Sequence, residues 1–134
     1  MRDGPDADDE PAFVLVFIDV DGLKVVNDTQ GHREGDDVLR QVADLVRGQL
    51  REYDVVVRVG GDEFVCGLPE LALDEVRQRL EAVNSRLRET KKASISYGLV
   101  EREPGEGLDA LIERADHAMY GARAARNDDP GCDV

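Results

Sequence analysis

Two groups of acidic residues in this sequence could hold a divalent cation. Asp19 ends the apolar run AFVLVFID, and Asp62 and Glu63 follow the paired glycines Gly60 and Gly61. Mg²⁺ prefers oxygen ligands and is usually held by one or two carboxylates together with substrate phosphates. Because the two groups are far apart in sequence, they form a cation site only if the fold brings the strand end to the turn. Taken alone, the turn fits equally well an ordinary glycine hairpin followed by two solvated acids.

The hydrophobic pattern predicts the elements that would position these acids. AFVLVFID is continuously apolar, as expected of a central strand covered on both faces. The polar stretch that follows predicts a short helix interrupted by Gly31. A longer helix is predicted to begin at Asp36 and Asp37, since acids are favoured near a helix N-terminus, and to end near Leu50.

The second half of the sequence predicts a hairpin, two helices and a further strand. The runs on either side of Gly60 and Gly61 are rich in β-branched residues, and glycine can supply the positive φ values of a tight hairpin turn. Apolar spacing predicts helices over residues 73–87 and 108–122, with a strand over 93–100 between them. This order predicts an α+β fold, a ferredoxin-like palm with an antiparallel-containing sheet and flanking helices. In that fold Asp19 would lie beside the hairpin turn.

Length and charge limit the classes of partner. The 134 residues suit a single domain, and 30 acidic against 17 basic side chains give a net charge of −13. We therefore expect no nucleic-acid polymer and no membrane contact, whereas a metal-bridged phosphate compound remains possible. The apolar run is too short to span a bilayer, and two cysteines make no disulfide framework, so a cytoplasmic protein with reduced thiols is expected. Residues 1–11 and 128–134 are predicted to be disordered, leaving a domain over 12–127.

Several linked motifs carry a family resemblance over residues 13–127. The segments FVLVFIDVDGLKVVNDTQGHREGDDVL, RVGGDEF, SISYG and ADHAMYGARAARN resemble, in the same order, the GGDEF family of diguanylate cyclases. The resemblance implies condensation of two GTP molecules into cyclic di-GMP with loss of pyrophosphate. It also implies Mg²⁺ or Mn²⁺ as the cofactor and an active homodimer in which each domain presents one GTP to the other.

The resemblance also assigns residues to the reaction centre. It implies metal ligation by Asp19, by the carbonyl of Val20 and by Asp62, and two-metal-type catalysis assisted by Asp62 and Glu63. Lys24 matches the family's phosphate-facing lysine and is counted with the catalytic residues.

Further positions correspond to substrate and product binding in the family. Arg51 and Asp54 form an RxxD pattern. Such a pattern is weak by itself and also occurs as a surface ion pair, but its offset from the glycines matches the family's product-inhibition site and favours that interpretation. The implied substrate-binding residues are Asn27, His32, Asp36, Gly60, Gly61 and Arg123.

Three departures from the family pattern leave other functions open. The sequence lacks the family's usual helix before the first strand and one accessory hairpin, and Arg123 stands where the family usually has lysine. A second hypothesis is therefore a catalytically weak domain that acts as a GTP or cyclic di-GMP receptor or as a dimerisation module. A third is a related palm cyclase that uses ATP.

Overall fold

The computed structural model describes residues 11–90 and 93–127, of which residues 125–127 are described by their backbone alone. The predicted disordered ends, apart from Pro11, and Cys132 therefore lie outside the described residues. The order of elements agrees with the predicted one, including the split first helical region. The elements are β1 (Phe13–Asp21), α1 (Leu23–Gln30), α2 (His32–Gly48), β2 (Val55–Arg58), β3 (Glu63–Pro69), α3 (Leu73–Thr90), β4 (Ser94–Glu101) and α4 (Leu108–Asn127).

The four strands form one antiparallel sheet in the order β2-β3-β1-β4. β1 is a central strand, as its continuous apolar sequence predicts, and all its residues from Val14 to Val20 are buried. Its register against β3 pairs Asp19 with Glu63. The predicted α+β ferredoxin-like palm is confirmed.

Alternation along β1 separates two layers of core. One face, which includes Val14, Val16 and Ile18, packs against α1, α2 and α3 in the larger cluster. The opposite face carries Leu15 and Phe17, which pack against Leu111, Ala115 and Met119 of α4. Because side chains alternate along a strand, Asp19 and Asp21 continue this second face beyond the apolar residues. Asp19 and Asp21 therefore lie near the C-terminal end of α4.

The start of α2 differs from the prediction. α2 begins at His32, with Gly31 as its N-cap at φ 95° and ψ 163°. Asp36 therefore lies inside the helix and is not its N-cap, so the prediction of a helix starting at Asp36 is wrong. The positive φ of Gly31 ends α1 and lets the chain turn directly into α2, and this backbone conformation sets the boundary in place of an acidic cap.

The conformation of the glycine pair also differs from the prediction. Among the described residues, positive φ occurs at Gly22, Gly31, Gly105 and Glu70, and so neither Gly60 nor Gly61 adopts it. Residues 59–62 separate β2 from β3, and a four-residue connection does not require the primed turn of a two-residue hairpin. The predicted hairpin is thus confirmed, but the predicted reason for its glycines is wrong.

Burial of the Cys66 side chain raises the pKa of its thiol to about 12, which makes this group unreactive in the folded state. No helix within residues 11–90 and 93–127 is long and apolar enough to cross a membrane.

Candidate active site

The end of β1 and the start of β3 bring the predicted acids together. Asp19 lies opposite Glu63 in the sheet, and the amide of Val20 donates a hydrogen bond of 2.9 Å to the carbonyl oxygen of Asp62. The predicted acids and Val20 therefore lie together at one end of the two inner strands, as the predicted topology required.

Asp19 is a buried carboxylate in a strongly acidic environment. It is only 2% exposed. Burial of the carboxyl group and the neighbouring Asp62 carboxylate raise its pKa to about 6, against the opposing effect of Arg123. Its Oδ1 atom has no hydrogen-bond partner among the described residues. A buried, unpartnered oxygen of this kind is costly unless a cation or a donor approaches it.

The available donors suit a magnesium-like ion better than a closed protein cage. Within the described parts of the chain, no group of three or more His, Cys, Asp or Glu side chains is arranged to hold a metal. Asp19 and Asp62 would supply two carboxylates, so the remaining ligands would have to be main-chain carbonyl groups, water and substrate phosphates. Mg²⁺ is commonly bound in this way, whereas structural Zn²⁺ needs four protein ligands. The residues therefore fit Mg²⁺ or Mn²⁺.

Arg123 and Asp21 complete the charge distribution at the end of β1. Nη1 of Arg123 donates a hydrogen bond to Oδ2 of Asp19, and its Nε lies 3.9 Å from Oδ1 of Asp21. The hydroxyl of Ser96 donates to Oδ2 of Asp21 at 2.7 Å. Asp21 was not singled out from the sequence, although its spacing of two residues from Asp19 on a strand places both on the same face.

The glycine turn is held by an arginine that sequence analysis also missed. Nε of Arg58 donates to the carbonyl oxygen of Gly60 at 3.1 Å, and Nη2 donates to that of Gly61 at 2.7 Å. A Cβ atom on Gly60 would lie 2.9 Å from Oε1 of Glu63, so the absence of a side chain leaves room for this carboxylate. Arg58 is the last residue of β2 and lies two residues before Gly60. This position is the one sequence signal that could have indicated its role.

A cavity next to this turn is lined by one of the predicted substrate-binding residues. Its volume is about 370 Å³, and Asp36 of α2 lines it together with Arg58 and Phe64 from the hairpin. Arg40 and Arg47 of α2 also face it, so the cavity combines one acid with three guanidinium groups. A carboxylate there could accept the adjacent N–H donors of a guanine base, and the arginines could bind phosphate.

Comparison with known proteins identifies the family. Residues 5–129 match the profile of the family described as "Diguanylate cyclase, GGDEF domain". The chain belongs to the GGDEF-domain family. This GGDEF domain is 36% identical over 135 residues to diguanylate cyclase DgcP of Pseudomonas aeruginosa strain PAO1. It is 39% identical over 127 residues to diguanylate cyclase DosC of Escherichia coli strain K12. These alignments cover 95% and 87% of the chain.

The curated relatives are much longer proteins than this chain. The chain spans 19% of the length of DgcP and 27% of that of DosC. Among solved structures, it superposes on the GGDEF domain of DgcB from Caulobacter crescentus, which was solved in complex with c-di-GMP. The TM-score is 0.79 at 31% identity, covering 86% of this chain and 74% of that one.

Three further predicted site residues of the GGDEF domain, the catalytic candidate Lys24 and the substrate-binding candidates Asn27 and His32, lie on α1 and α2. Asn27 packs against Gly35, where an added Cβ would lie 1.7 Å from Oδ1 of Asn27. The Asn27 side chain therefore lies next to the residue that precedes Asp36. Lys24 and His32 are exposed, near the start of α1 and at the start of α2 respectively. Their roles stay predictions.

The RxxD pair of the GGDEF domain forms a second, separate feature. Nε and Nη2 of Arg51 donate to the two carboxylate oxygens of Asp54 at 3.0 and 2.7 Å, and the Arg51 guanidinium lies 4.6 Å from the Tyr53 ring centroid. The Asp54 side chain is fully buried, so this is more than a solvated surface ion pair. Burial alone would raise the pKa of Asp54, but its hydrogen bonds from Arg51 lower it. Arg51 also donates to the carbonyl oxygen of Pro69, at the opposite end of β3 from Glu63 and about 20 Å along the strand.

Proposed function

We propose that this GGDEF domain is a diguanylate cyclase that condenses two GTP molecules into cyclic di-GMP and two molecules of pyrophosphate. The observation that carries the proposal is the buried Asp19 carboxylate, which lies beside Asp62 and has one oxygen without a hydrogen-bond partner. Curated relatives that are diguanylate cyclases support it.

The reaction requires one phosphodiester bond to form for each GTP. The 3′-oxygen of one GTP attacks the α-phosphorus of the other, the 3′-hydroxyl proton passes to a carboxylate, and the bond to pyrophosphate breaks. Asp62 and Glu63 are the proposed proton acceptors at the hairpin turn. Asp19, Asp62 and the Val20 carbonyl would hold Mg²⁺ or Mn²⁺. When bound, this ion lowers the pKa of the hydroxyl group and neutralises negative charge at the α-phosphorus.

A single domain offers one set of these groups, and cyclisation needs two GTP molecules facing each other. We therefore propose that two copies meet with their sites opposed, each holding one GTP. The dimer then holds the two GTP molecules close together and in the correct orientation, so that they react without a further encounter in solution.

Substrate recognition is proposed to involve three helices, α1, α2 and α4, together with the glycine turn. Lys24 and Arg123 bind the triphosphate through their positive charge, and the backbone at Gly60 and Gly61 approaches it closely. The residues that hold ribose and guanine are Asn27, His32 and Asp36, of which Asp36 accepts from guanine N1–H and its exocyclic amine. Adenine cannot satisfy this carboxylate in the same way, which favours GTP over ATP.

Turnover by the full chain tests the proposal. Incubation with GTP and Mg²⁺ or Mn²⁺ is expected to yield cyclic di-GMP, and Asp62→Ala is expected to abolish it. Asp74→Ala, at an exposed position on α3, serves as the control and should retain activity. Cyclic di-GMP formation that survives Asp62→Ala contradicts the assignment of the metal site. Tight cyclic di-GMP binding without turnover favours a receptor, and product from ATP alone favours a different cyclase.

Product inhibition at Arg51 and Asp54 is a further part of the proposal. The buried Asp54 orients the Arg51 guanidinium, which would bind the guanine or phosphate of cyclic di-GMP. Arg51→Ala should relieve inhibition by added cyclic di-GMP without removing turnover. Wild-type turnover that is unaffected by high micromolar cyclic di-GMP would exclude an inhibitory site.

A further inference from the structure

The guanidinium group of Arg123, at the end of α4, contacts the buried carboxylate of Asp19. Along α4, the buried residues Leu111, Ala115 and Met119 recur every four positions, and Arg123 is the next member of this series. Residues four apart lie on the same side of a helix. Leu111, Ala115 and Met119 pack with apolar residues of β1, so the helix delivers the guanidinium to the acids that continue this strand.

The contact is asymmetric in its exposure to solvent. The side chain of Arg123 is 44% exposed, whereas those of Asp19 and Asp21 are 2% and 23% exposed. A partly solvated cation with a long, flexible stem is thus bonded to a carboxylate that is almost inaccessible. Arg123 can leave this contact by side-chain rotation, while Asp19 is fixed in the central strand.

The charges around Asp19 explain why this contact forms. Asp62 and Asp21 disfavour ionisation of Asp19, and Arg123 favours it. A divalent cation would make the same favourable interaction with the same carboxylates. A divalent cation at the unpartnered Oδ1 of Asp19 and the guanidinium at Oδ2 would share one carboxylate, and their like charges would repel each other at this short distance.

We infer that Arg123 is a built-in counter-ion of the metal site, which competes with the divalent cation for Asp19 and is released to the substrate phosphates when the cation binds. This inference rests on the proposed function, because it requires a metal site at Asp19 and Asp62. It gives Arg123 two successive partners, first a carboxylate and then a phosphate. Nucleotide binding therefore assists cation binding by accepting the displaced guanidinium.

Cation binding to the full chain tests the inference without any turnover. Mn²⁺ binding is measured from the electron paramagnetic resonance signal of free Mn²⁺ for the wild type, Arg123→Gln and Arg114→Gln. Arg114 lies on the same helix with a similarly exposed side chain, but it pairs with Glu106. Arg123→Gln is expected to bind Mn²⁺ about 3- to 10-fold more tightly, as expected from removal of one competing ion pair. Arg114→Gln should match the wild type.

A nucleotide without a 3′-hydroxyl group provides the second measurement. In the wild type, 3′-deoxy-GTP should strengthen Mn²⁺ binding by a larger factor than in Arg123→Gln, because only the wild type has a guanidinium to release. By linkage, Mn²⁺ must strengthen nucleotide binding by the same factor. A purely structural role of Arg123 predicts weaker Mn²⁺ binding in the variant, so the direction of the change separates the two roles. Arg123→Lys, which keeps the charge, should lie between the two and serves if Arg123→Gln does not fold.

The possible failures are distinguishable. In one failure, Asp62→Asn weakens Mn²⁺ binding, but Arg123→Gln binds Mn²⁺ equally or more weakly than the wild type. This result overturns the counter-ion role of Arg123 and leaves the proposed metal site intact. Mn²⁺ binding that is absent, or unaffected by Asp62→Asn, overturns the proposed metal site and this inference with it.

Discussion

A single side chain, Arg58, joins the glycine turn to the end of β2. Its guanidinium donates to the carbonyl oxygens of Gly60 and Gly61, which precede the proposed catalytic acids. Since the side chain itself is exposed, its contribution to stability should be small, while its effect on the position of the turn should be large.

We expect Arg58→Ala to lower the rate of cyclic di-GMP formation about 10-fold, because small displacements of reacting groups are costly. The free energy of unfolding should change by less than about 1 kcal/mol. Steady-state kinetics and urea denaturation measure the two effects, with Arg86→Ala at an exposed position on α3 as the control. Equal activity of the two variants would show that the turn keeps its conformation without Arg58.

Helix α4 depends on one glycine for its distance from the sheet. A Cβ on Gly98 of β4 would lie 2.1 Å from the amide nitrogen of Met119 and 2.5 Å from the carbonyl oxygen of Ala115. These are backbone atoms and cannot move aside as a flexible side chain would. Gly98 therefore sets how closely α4, and with it Arg123, approaches β1.

Gly98→Ala is expected to destabilise the domain by about 1–3 kcal/mol, as overpacking does. Gly121 of α4 provides the matched control, because an added Cβ there meets nothing within 4 Å. Gly121→Ala should stabilise the protein by about 0.5–1 kcal/mol through helix propensity. Thermal and chemical denaturation measure both changes. A Gly98→Ala variant as stable as the wild type would mean that α4 can shift without loss of packing.

The loop between β4 and α4 is held by an ion pair whose strength depends on pH. Glu106 accepts two hydrogen bonds from Arg114 at 2.7 Å and one from the amide of Glu103 at 3.1 Å. The Arg114 side chain and this amide lower the pKa of Glu106 to about 2. A carboxyl group with a lowered folded-state pKa stabilises the protein above its unfolded-state pKa, and this stabilisation is lost as the pH falls toward the folded value.

The stabilising effect of Glu106 should thus be complete above pH 5 and be lost between about pH 4.5 and pH 2. Glu106→Gln is expected to lower stability at neutral pH and to make its decline in acid less steep. Glu113→Gln, at an exposed position on α4, should leave the acid limb unchanged. The free energy of unfolding as a function of pH checks this. Parallel curves for Glu106→Gln and the wild type would contradict it.

Much of the fold could be predicted because its elements are defined by local patterns. The buried run of β1 and the apolar spacing of α3 and α4 identify these elements without reference to the rest of the chain. The start of α2 could not be predicted in the same way, since the backbone conformation of Gly31 decides it. The positive φ expected at Gly60 failed for a related reason, because the length of the connection decides the turn type.

Only those parts of the site that follow from the topology or from the family motifs could be predicted. Asp19 and Asp62 were expected to meet because a hairpin pairs with the central strand. The bond between Arg123 and Asp19 joins residues 104 positions apart. The apolar spacing along α4 indicates the helix face on which Arg123 lies, but it does not show which strand end this face meets. Gly98 was missed because its importance lies in the backbone of another element.

The proposed reaction needs two domains, so the whole molecule should show a dependence on its own concentration. At low concentration, monomers each hold one GTP and cannot cyclise it. Specific activity should therefore rise with protein concentration and level off when dimers saturate. Cyclic di-GMP formation per milligram over a dilution series measures this, with sedimentation reporting the oligomeric state. Specific activity that is constant while the protein sediments as a monomer would exclude the paired arrangement.

The one-sided packing of β2 has a consequence for the dynamics of the domain. α4 packs against β4 and β1, and the outward-facing Val55, Val57 and Val59 of the hairpin remain 56%, 50% and 51% exposed. β2 is also a short edge strand that pairs with β3. Elements with few buried contacts open locally at a lower free energy than the whole domain.

Hydrogen–deuterium exchange should thus be faster at the β2 amides bonded to β3 than at the β1 amides bonded to β4. Mn²⁺ binding should then be lost at a urea concentration below the main unfolding transition seen by circular dichroism. Identical exchange rates in both strands would contradict this. The glycine turn lies at the tip of the segment that is expected to open first. The domain should therefore lose cation binding and the proposed cyclase activity by local opening, before the rest of the fold unfolds.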